Sequence, residues 1–389
     1  MPGPLQDVVV IDLSRALAGP HAAMMLGDLG ARVVKVESPA SGDDTRGWGP
    51  PFVGPADARE STYFLSCNRN KESITLDLKS DDGRAVLTRL VRHGDVLVEN
   101  FRTGVLDRLG FSVERLLELN PRLVVLSITG FGHDGPEGGR PGYDQIAQGE
   151  AGLMSLTGPG PDEPTRIGVP IADLLAGMYG AYGVVAALHE RDRTGRGGVV
   201  RTSLLAAVVG AHSFQGTRHT VAGQVPRAQG NHHPSLAPYG AFRCRDALVQ
   251  VAVGSEGLWR RFAPLIGLAA DDPRFTTNRD RVERRDELVA EVDAAFAGCD
   301  VGEVLAALDE AGVPAGEVRT LDRVYDWEQT RSQGLLIDVE HASLGRITLP
   351  GPPLRFDAGP PAEHRAPPTL GQHSAQVRAW LDEREASAP

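Results

Sequence analysis

Two apolar runs flanking a stretch of small residues limit what this chain can fold into. The first, DVVVIDLS (Asp7 to Ser14), and the second, ARVVKVE (Ala31 to Glu37), are valine-rich and lack polar alternation, the pattern of strands buried on both faces. Between them HAAMMLGDLG reads as a helix ended by Gly30. A helix linking two fully buried strands is a βαβ unit, which requires a parallel sheet covered by helices. The alternation continues. KESITLDLKS is a short strand running into a turn, DGRAVLTRLVRHG an amphipathic helix, and DVLVENF and LVVLSITGFG are strands separated by a helix around SVERLLELN. A doubly wound α/β domain is expected.

A chain of 389 residues exceeds one small domain, and the texture divides it. Residues 1–205 are expected to form the first part of a large Rossmann-like domain, including a long helix through MYGAYGVVAALHERDRTGRGG. A linker is expected over 206–224, where the texture turns to Gly, Pro and His. A smaller α+β domain follows over 225–325, with a hairpin turning at Arg245–Asp246 and two helices. Residues 326–389 hold a second hairpin, Pro-rich coil and a short amphipathic helix that returns to complete the large domain.

The formal net charge of -11 argues against nucleic acid as a general partner. An acidic protein that binds a polyanion must concentrate its cations locally. Lys79 follows ITLDL, and Arg102 and Arg108 stand just after a strand in ENFRTGVLDRLG. Loops at the C-terminal ends of parallel strands converge on the ligand crevice, so these cations suit a phosphorylated ligand. Taken singly, each is equally a solvated surface charge. The three cysteines, Cys67, Cys244 and Cys299, have neither CxxC nor metal-ligand spacing, which fits a reducing compartment. The opening residues carry no apolar stretch of signal or membrane length, and a cytoplasmic protein is expected.

Glu37 at the end of the second strand invites a dinucleotide-binding reading, but LAGPHA contains only Gly19 where such folds use GxGxxG. A tight strand-to-helix turn at Gly19–Pro20 accounts for the same residues. His232 and His233 are adjacent and lack helix-spaced partners, which gives no metal site. Asp173 stands alone in RIGVPIADLLAGMYGAYG, otherwise apolar and small after its first residue. It reads either as a cap satisfying helix N–H groups or as a nucleophile with an open approach path.

Taken in order, VVVIDLSRALAGP, ARVVKVESPASGDDTR, NRNKESITLDLK, DVLVENFRTGVLDRLGF, IGVPIADLLAGMYG and HHPSLAPYGAF resemble the class III CoA-transferases, the family of formyl-CoA transferase and carnitine CoA-transferase, over nearly the whole chain. The resemblance implies a Rossmann-like large domain built from both ends of the chain, a smaller middle domain, and an interlocked homodimer. It implies acyl-CoA and a carboxylic acid as substrates, with no tightly bound cofactor and no metal. By matched position Asp173 is the catalytic aspartate. Leu17, Ala18, Leu76, Asp77, Leu78, Lys79, Asn100, Phe101, Arg102, Arg108, Gly142 and Tyr143 line the CoA site. Arg15 stands near its mouth, placed to pair with a substrate carboxylate or a CoA phosphate. The acyl groups would be read by loops around His232, His233 and Tyr239. Gly198, Arg201 and Ala206 replace polar or acidic residues of the family pattern.

The resemblance also covers α-methylacyl-CoA racemases, which use a histidine in an AGHD-like stretch. Here that stretch is PGYD, and the Tyr143 phenol, with a pKa near 10, is a poor acid–base partner at neutral pH. CoA transfer is the expected chemistry, with racemisation as the alternative. A non-catalytic CoA-binding protein would have no use for Asp173, and a nicotinamide oxidoreductase lacks its glycine fingerprint.

Overall fold

The computed structural model describes residues 3–356 and 363–387. Six strands, β1 (Val9–Asp12), β2 (Arg32–Glu37), β3 (Lys71–Thr75), β4 (Val96–Glu99), β5 (Val124–Thr129) and β6 (Gly198–Ser203), form one parallel sheet in the order β3-β2-β1-β4-β5-β6. The order reverses between β1 and β4, and the loops leaving those two strands diverge there. That divergence makes the crevice where open α/β sheets bind ligands.

Successive strand residues face opposite sides, so the valine-rich runs feed two cores at once. Val10, Val33, Val96 and Val124 enter one core, and Ile11, Val34, Leu97 and Val125 enter the other. The first is closed by α1 (Ala18–Asp28) and by a long helix, residues Ile171–Thr194, capped by Gly195 in the left-handed conformation. By length and apolar composition this long helix would suffice to cross a bilayer, yet Ala172, Ala176, Ala181, Val184 and Leu188 face the sheet core. Gly177 on it lets α1 come close: a Cβ there would lie 2.7 Å from the Ala18 carbonyl and 3.1 Å from the His21 ring.

The second core is covered by the helix Asp81–His93 and by the last helix, Ser374–Ala386. Val377 and Leu381 are fully buried there, while Arg89 meets Asp382 and Glu385 and Arg378 meets Asp82 at the surface. Exposed pairs of this kind add about 0–1 kcal/mol each, so apolar burial holds the returning helix.

The chain divides into two compact units. The larger comprises Met1–Leu153, Ile167–Gly223 and Gln329–Pro389, and the smaller Met154–Arg166 and Gln224–Glu328. Two boundaries differ from expectation. Residues 206–224 are not a linker but mostly helical, with helices Leu204–Gly210 and Ser213–Thr220. Ser203 caps the first of these through the Ala206 N–H, and Leu204, Ala207 and Val208 are buried in the sheet core, so this segment belongs to the larger unit. Residues 154–166 leave the larger unit because their backbone pairs far along the chain: Ser155 accepts from Ala228 N–H at 2.9 Å and Gly158 from Gly230 N–H at 3.0 Å.

The smaller unit carries an antiparallel sheet of Tyr239–Arg243, Leu248–Ala252 and Ala315–Glu317. Helices Arg285–Phe296 and Val301–Glu310 cover it around Trp259, Phe262 and Phe242. The stacked rings of His233 and Tyr239, and His232 tilted against Phe242, belong to this unit.

Candidate active site

A cavity of about 1080 Å³ opens in the larger unit at the C-terminal ends of the strands. Its walls are the loops that leave β1 (Arg15, Ala16), β2 (38–41), β3 (Leu76, Asp77, Leu78, Lys79), β4 (Asn100, Phe101, Arg102) and β5 (Gly130, Arg140, Gly142, Tyr143), with Ala18 at the start of α1 and with Asp173. This is the position the reversed strand order prescribes.

Asp173 lies in the first turn of the long helix but does not cap it; the N-cap is Pro170, which has no side-chain donor or acceptor to offer. The capping acceptor comes from α2 (Asp144–Glu150): the Asp144 carboxylate accepts the N–H of Ala172 at 2.8 Å and of Asp173 at 3.4 Å. The Asp173 carboxylate is thereby left for the cavity, and no described residue donates a hydrogen bond to it. Burial, and then the Asp144 charge beside it, push its pKa up to about 7. Tyr63 also lines the cavity, and burial followed by the Asp173 charge pushes its phenol pKa above the ordinary value, so it stays a protonated donor. The Trp48 ring meets Tyr63 edge-on at 5.0 Å.

The wall nearest α1 stands on a buried charge cluster. Lys71 donates to Asp12 at 2.8 Å, to the Pro20 carbonyl at 2.8 Å and to Asn68 at 2.9 Å, which saturates its three protons. Lys35 pairs with Asp43 at 2.8 Å and donates to the Ser14 carbonyl at 3.0 Å. Burial alone would raise the Asp12 pKa, but Lys35 and Lys71 outweigh it and hold the carboxyl below its usual range. One ammonium group therefore grips the turn between β1 and α1 at the Ser14 carbonyl, and the other grips the first turn of α1 at the Pro20 carbonyl. In the first turn of α1 a Cβ on Gly19 would overlap the Ser14 side chain, which explains the glycine there.

Glu37 is already occupied. Its carboxylate takes two bonds from Arg46, at 2.7 and 2.8 Å, one from the Ser73 hydroxyl at 2.7 Å and one from the Asp43 N–H at 2.9 Å. An acid so engaged has no free oxygen for a ribose diol, and the dinucleotide reading fails on geometry as well as on glycines.

Of the residues assigned to catalysis and to the CoA site, all but Leu17 and Arg108 line the cavity, whereas His232, His233 and Tyr239, expected to read the acyl groups, belong to the smaller unit and are not among its lining. Leu17 is the buried N-cap of α1, and Arg108 closes the short helix Val105–Arg108 with its guanidinium over Gly104. Arg15, Lys79 and Arg102 have no carboxylate partner among the described residues, and Arg15 leans on the Phe101 ring with 5.6 Å to its centroid. Three side chains of the cavity wall are not legible in the sequence: Asp144, Tyr63 and Trp48. Asp144 directly follows the Tyr143 that was noted, but nothing local marks it as the cap of a helix that starts 27 residues later.

Comparison with known proteins identifies the family. The family model described as CoA-transferase family III matches residues 5–374. The chain belongs to CoA-transferase family III. It is thus an enzyme, an acyl-CoA:carboxylate CoA-transferase. A succinate–glutarate CoA-transferase of Agrobacterium fabrum is 39% identical over 391 residues, covering 99% of this chain and 97% of that protein. The mouse succinyl-CoA:glutarate CoA-transferase is 38% identical over 376 residues, covering 96% and 85% respectively. The crystal structure of a CaiB/BaiF family protein from Brucella suis superposes with a TM-score of 0.87 at 39% identity, over 98% of this chain and all of that one. The family III transferase described here thus has a parallel-sheet α/β architecture like that of its structural relative, with the cavity at the switch point of that sheet.

Proposed function

We propose that this family III transferase moves CoA from an acyl-CoA thioester to a carboxylic acid through covalent intermediates on Asp173. The observation that carries the mechanism is the unclaimed Asp173 carboxylate in the wall of a cavity of pocket dimensions, poised to ionise near neutrality. An Asp173 oxygen attacks the thioester carbonyl and CoA leaves as thiolate, giving a mixed anhydride. The thiolate attacks the Asp173 carbonyl of that anhydride, forming an aspartyl-CoA thioester and releasing the first acid as carboxylate. The acceptor carboxylate attacks the same aspartyl carbonyl and expels the thiolate. That thiolate then attacks the acceptor's acyl carbonyl, which yields the new thioester and regenerates Asp173. Thioester replaces thioester, so the sequence is close to isoenergetic.

Each attack builds negative charge on a carbonyl oxygen. No acceptor among the described residues takes the N–H of Leu17, Ala18 or Gly19 in the first turn of α1, and Ala18 shares the cavity wall with Asp173. The Ala18 N–H is the donor among them that the cavity wall offers to the developing charge, an arrangement worth about 100-fold or more in rate. Arg15, Lys79 and Arg102 supply positive charge for the CoA phosphates and for an acceptor carboxylate. Dicarboxylates such as succinate and glutarate are proposed substrates, on the strength of the names borne by the two relatives.

A homodimer, interlocked as the family resemblance implies, and a cytoplasmic location complete the proposal. Met178, Tyr179, Tyr182 and Val185 form an exposed apolar face on the long helix, Tyr182 at 75% exposure, as a subunit contact needs. A monomer by light scattering would overturn the dimer, and recovery in a membrane or secreted fraction would overturn the location.

The decisive experiment is peptide mass spectrometry after incubation with an acyl-CoA panel and trapping by hydroxylamine or borohydride. Hydroxamate or reduced product on Asp173, absent in Asp173→Ala, is expected. If no donor labels Asp173 while a 2-methylacyl-CoA exchanges its α-proton in deuterated water, racemisation replaces transfer.

A further inference from the structure

Ala16 adopts a left-handed backbone conformation, with φ of 65°. An L side chain pays for that conformation, and a strained residue persists only where its surroundings hold it there. Two side chains do so. Asn100 accepts the Arg15 N–H at 2.8 Å and donates to the Arg15 carbonyl at 2.7 Å. Asp43, from the loop after β2, accepts the Ala16 N–H itself at 3.2 Å.

Asp43 is 1% exposed, and the oxygen that grips Ala16 is itself held by Thr45. The same oxygen takes the Thr45 N–H at 2.9 Å and the Thr45 hydroxyl at 2.8 Å, and its second oxygen lies 2.8 Å from Lys35 Nζ. Lys35 in turn holds the Ser14 carbonyl, so Asp43 and Lys35 together clamp both ends of the Ser14–Ala16 segment. The chain directly beyond Ala16 is Leu17 and Ala18, whose N–H groups have no acceptor among the described residues although both residues are buried. Of the two, Ala18 lines the cavity, and the direction of its open N–H is set by the turn that precedes it.

We infer that Asp43 is a positioning residue for the acyl-transfer steps. By holding Ala16 in the left-handed conformation it aims the first N–H groups of α1 at the carbonyl reacting with Asp173. The inference rests on Asp173 being the covalent nucleophile and adds a residue that touches neither substrate nor reacting atoms. If Asp43 acts through backbone conformation, its loss should matter less where the left-handed conformation carries no side-chain cost, as with glycine.

The test is a double-mutant cycle of Asp43→Ala and Ala16→Gly, read as kcat, KM for acyl-CoA and Tm. In the native background Asp43→Ala is expected to lower kcat by about 100-fold while KM changes by less than about threefold. With Ala16→Gly already present, the same substitution should lower kcat by about 10-fold or less, and its Tm loss should shrink likewise. Equal losses in both backgrounds, or a loss confined to KM, overturn the inference. Should Asp43→Ala not fold, Asp43→Ser, whose shorter side chain withdraws the acceptor from the Ala16 N–H while staying polar, is read in the same cycle against the same criterion. A native protein that transfers CoA without labelling at Asp173 overturns the mechanism instead. The Tm coupling still decides whether Asp43 holds the turn.

Discussion

Asp173→Asn offers a way to test the electrostatics of the site without turnover. In the folded protein the Asp173 carboxyl titrates near 7, against 3.8 for an unperturbed carboxyl, because burial and then Asp144 disfavour its charge. The folded chain therefore binds this proton more tightly than the unfolded chain. Stability contributed by the protonated group is complete below pH 4 and is lost as pH rises to about 7. A shift of about 3 pKa units corresponds to about 4 kcal/mol. Asp173 is only part-buried and faces an open cavity, so solvent screening reduces this to roughly 2–4 kcal/mol. With an unfolding entropy of about 2.1 cal/mol/K per residue, a chain of 389 residues should gain about 2–5 °C in Tm. Asparagine keeps the shape and cannot ionise. Thermal denaturation of the native protein and the variant should thus show nearly equal Tm at pH 4.5 and a higher Tm for the variant at pH 8. A gain of equal size at both pH values, or a loss at pH 8, would refute the claim that an uncompensated charge is stored at this position.

Two further outcomes follow from the same geometry. Removing the Asp144 charge in Asp144→Asn should lower the Asp173 pKa, so the acidic limb of kcat/KM, expected near pH 7 in the native enzyme, should move to lower pH; a pH–rate profile with an unmoved limb would show that Asp144 does not act on Asp173. Gly177→Ala should push α1 from the long helix, since its Cβ would sit 2.7 Å from the Ala18 carbonyl; a stability loss of about 1–3 kcal/mol and a fall in kcat exceeding any change in KM are expected, and unchanged denaturant midpoint and kcat would count against close packing as the reason for this glycine.

The glycine and proline that open α1 show how one local motif can support two folds of argument. Gly19 invited a nucleotide reading and turned out to make room for the Ser14 side chain, which itself bonds Asp12 in the buried cluster. The crevice is still at the switch point of the sheet, because that follows from strand order and not from a phosphate loop.

The sequence by itself determined the strands, the long helix and the nucleophile candidate. Short valine-rich runs with no polar alternation read as buried strands through their length and β-branched content, and one carboxylate among small residues is conspicuous wherever it stands. The convergence of loops after parallel strands pointed to Lys79 and Arg102 in the cavity wall, and the family resemblance brought in most of the rest. Some charges in those runs already carried a message that periodicity does not decode. Lys35 and Lys71 sit inside strands and Asp12 at the end of another, in segments buried on both faces, so each required a partner, but which partner depends on strand neighbours. Tertiary structure alone decided those pairings, the Asp144 cap on a helix elsewhere in the chain, and the left-handed Ala16 held by Asp43. It alone assigned 154–166 to the smaller unit, through two backbone bonds to residues 228 and 230. The physical reason is common to all of these. Burial pattern and helix period are properties of neighbouring residues, whereas the energy of a buried charge, a cap or a strained turn is set by groups the fold brings from far along the chain.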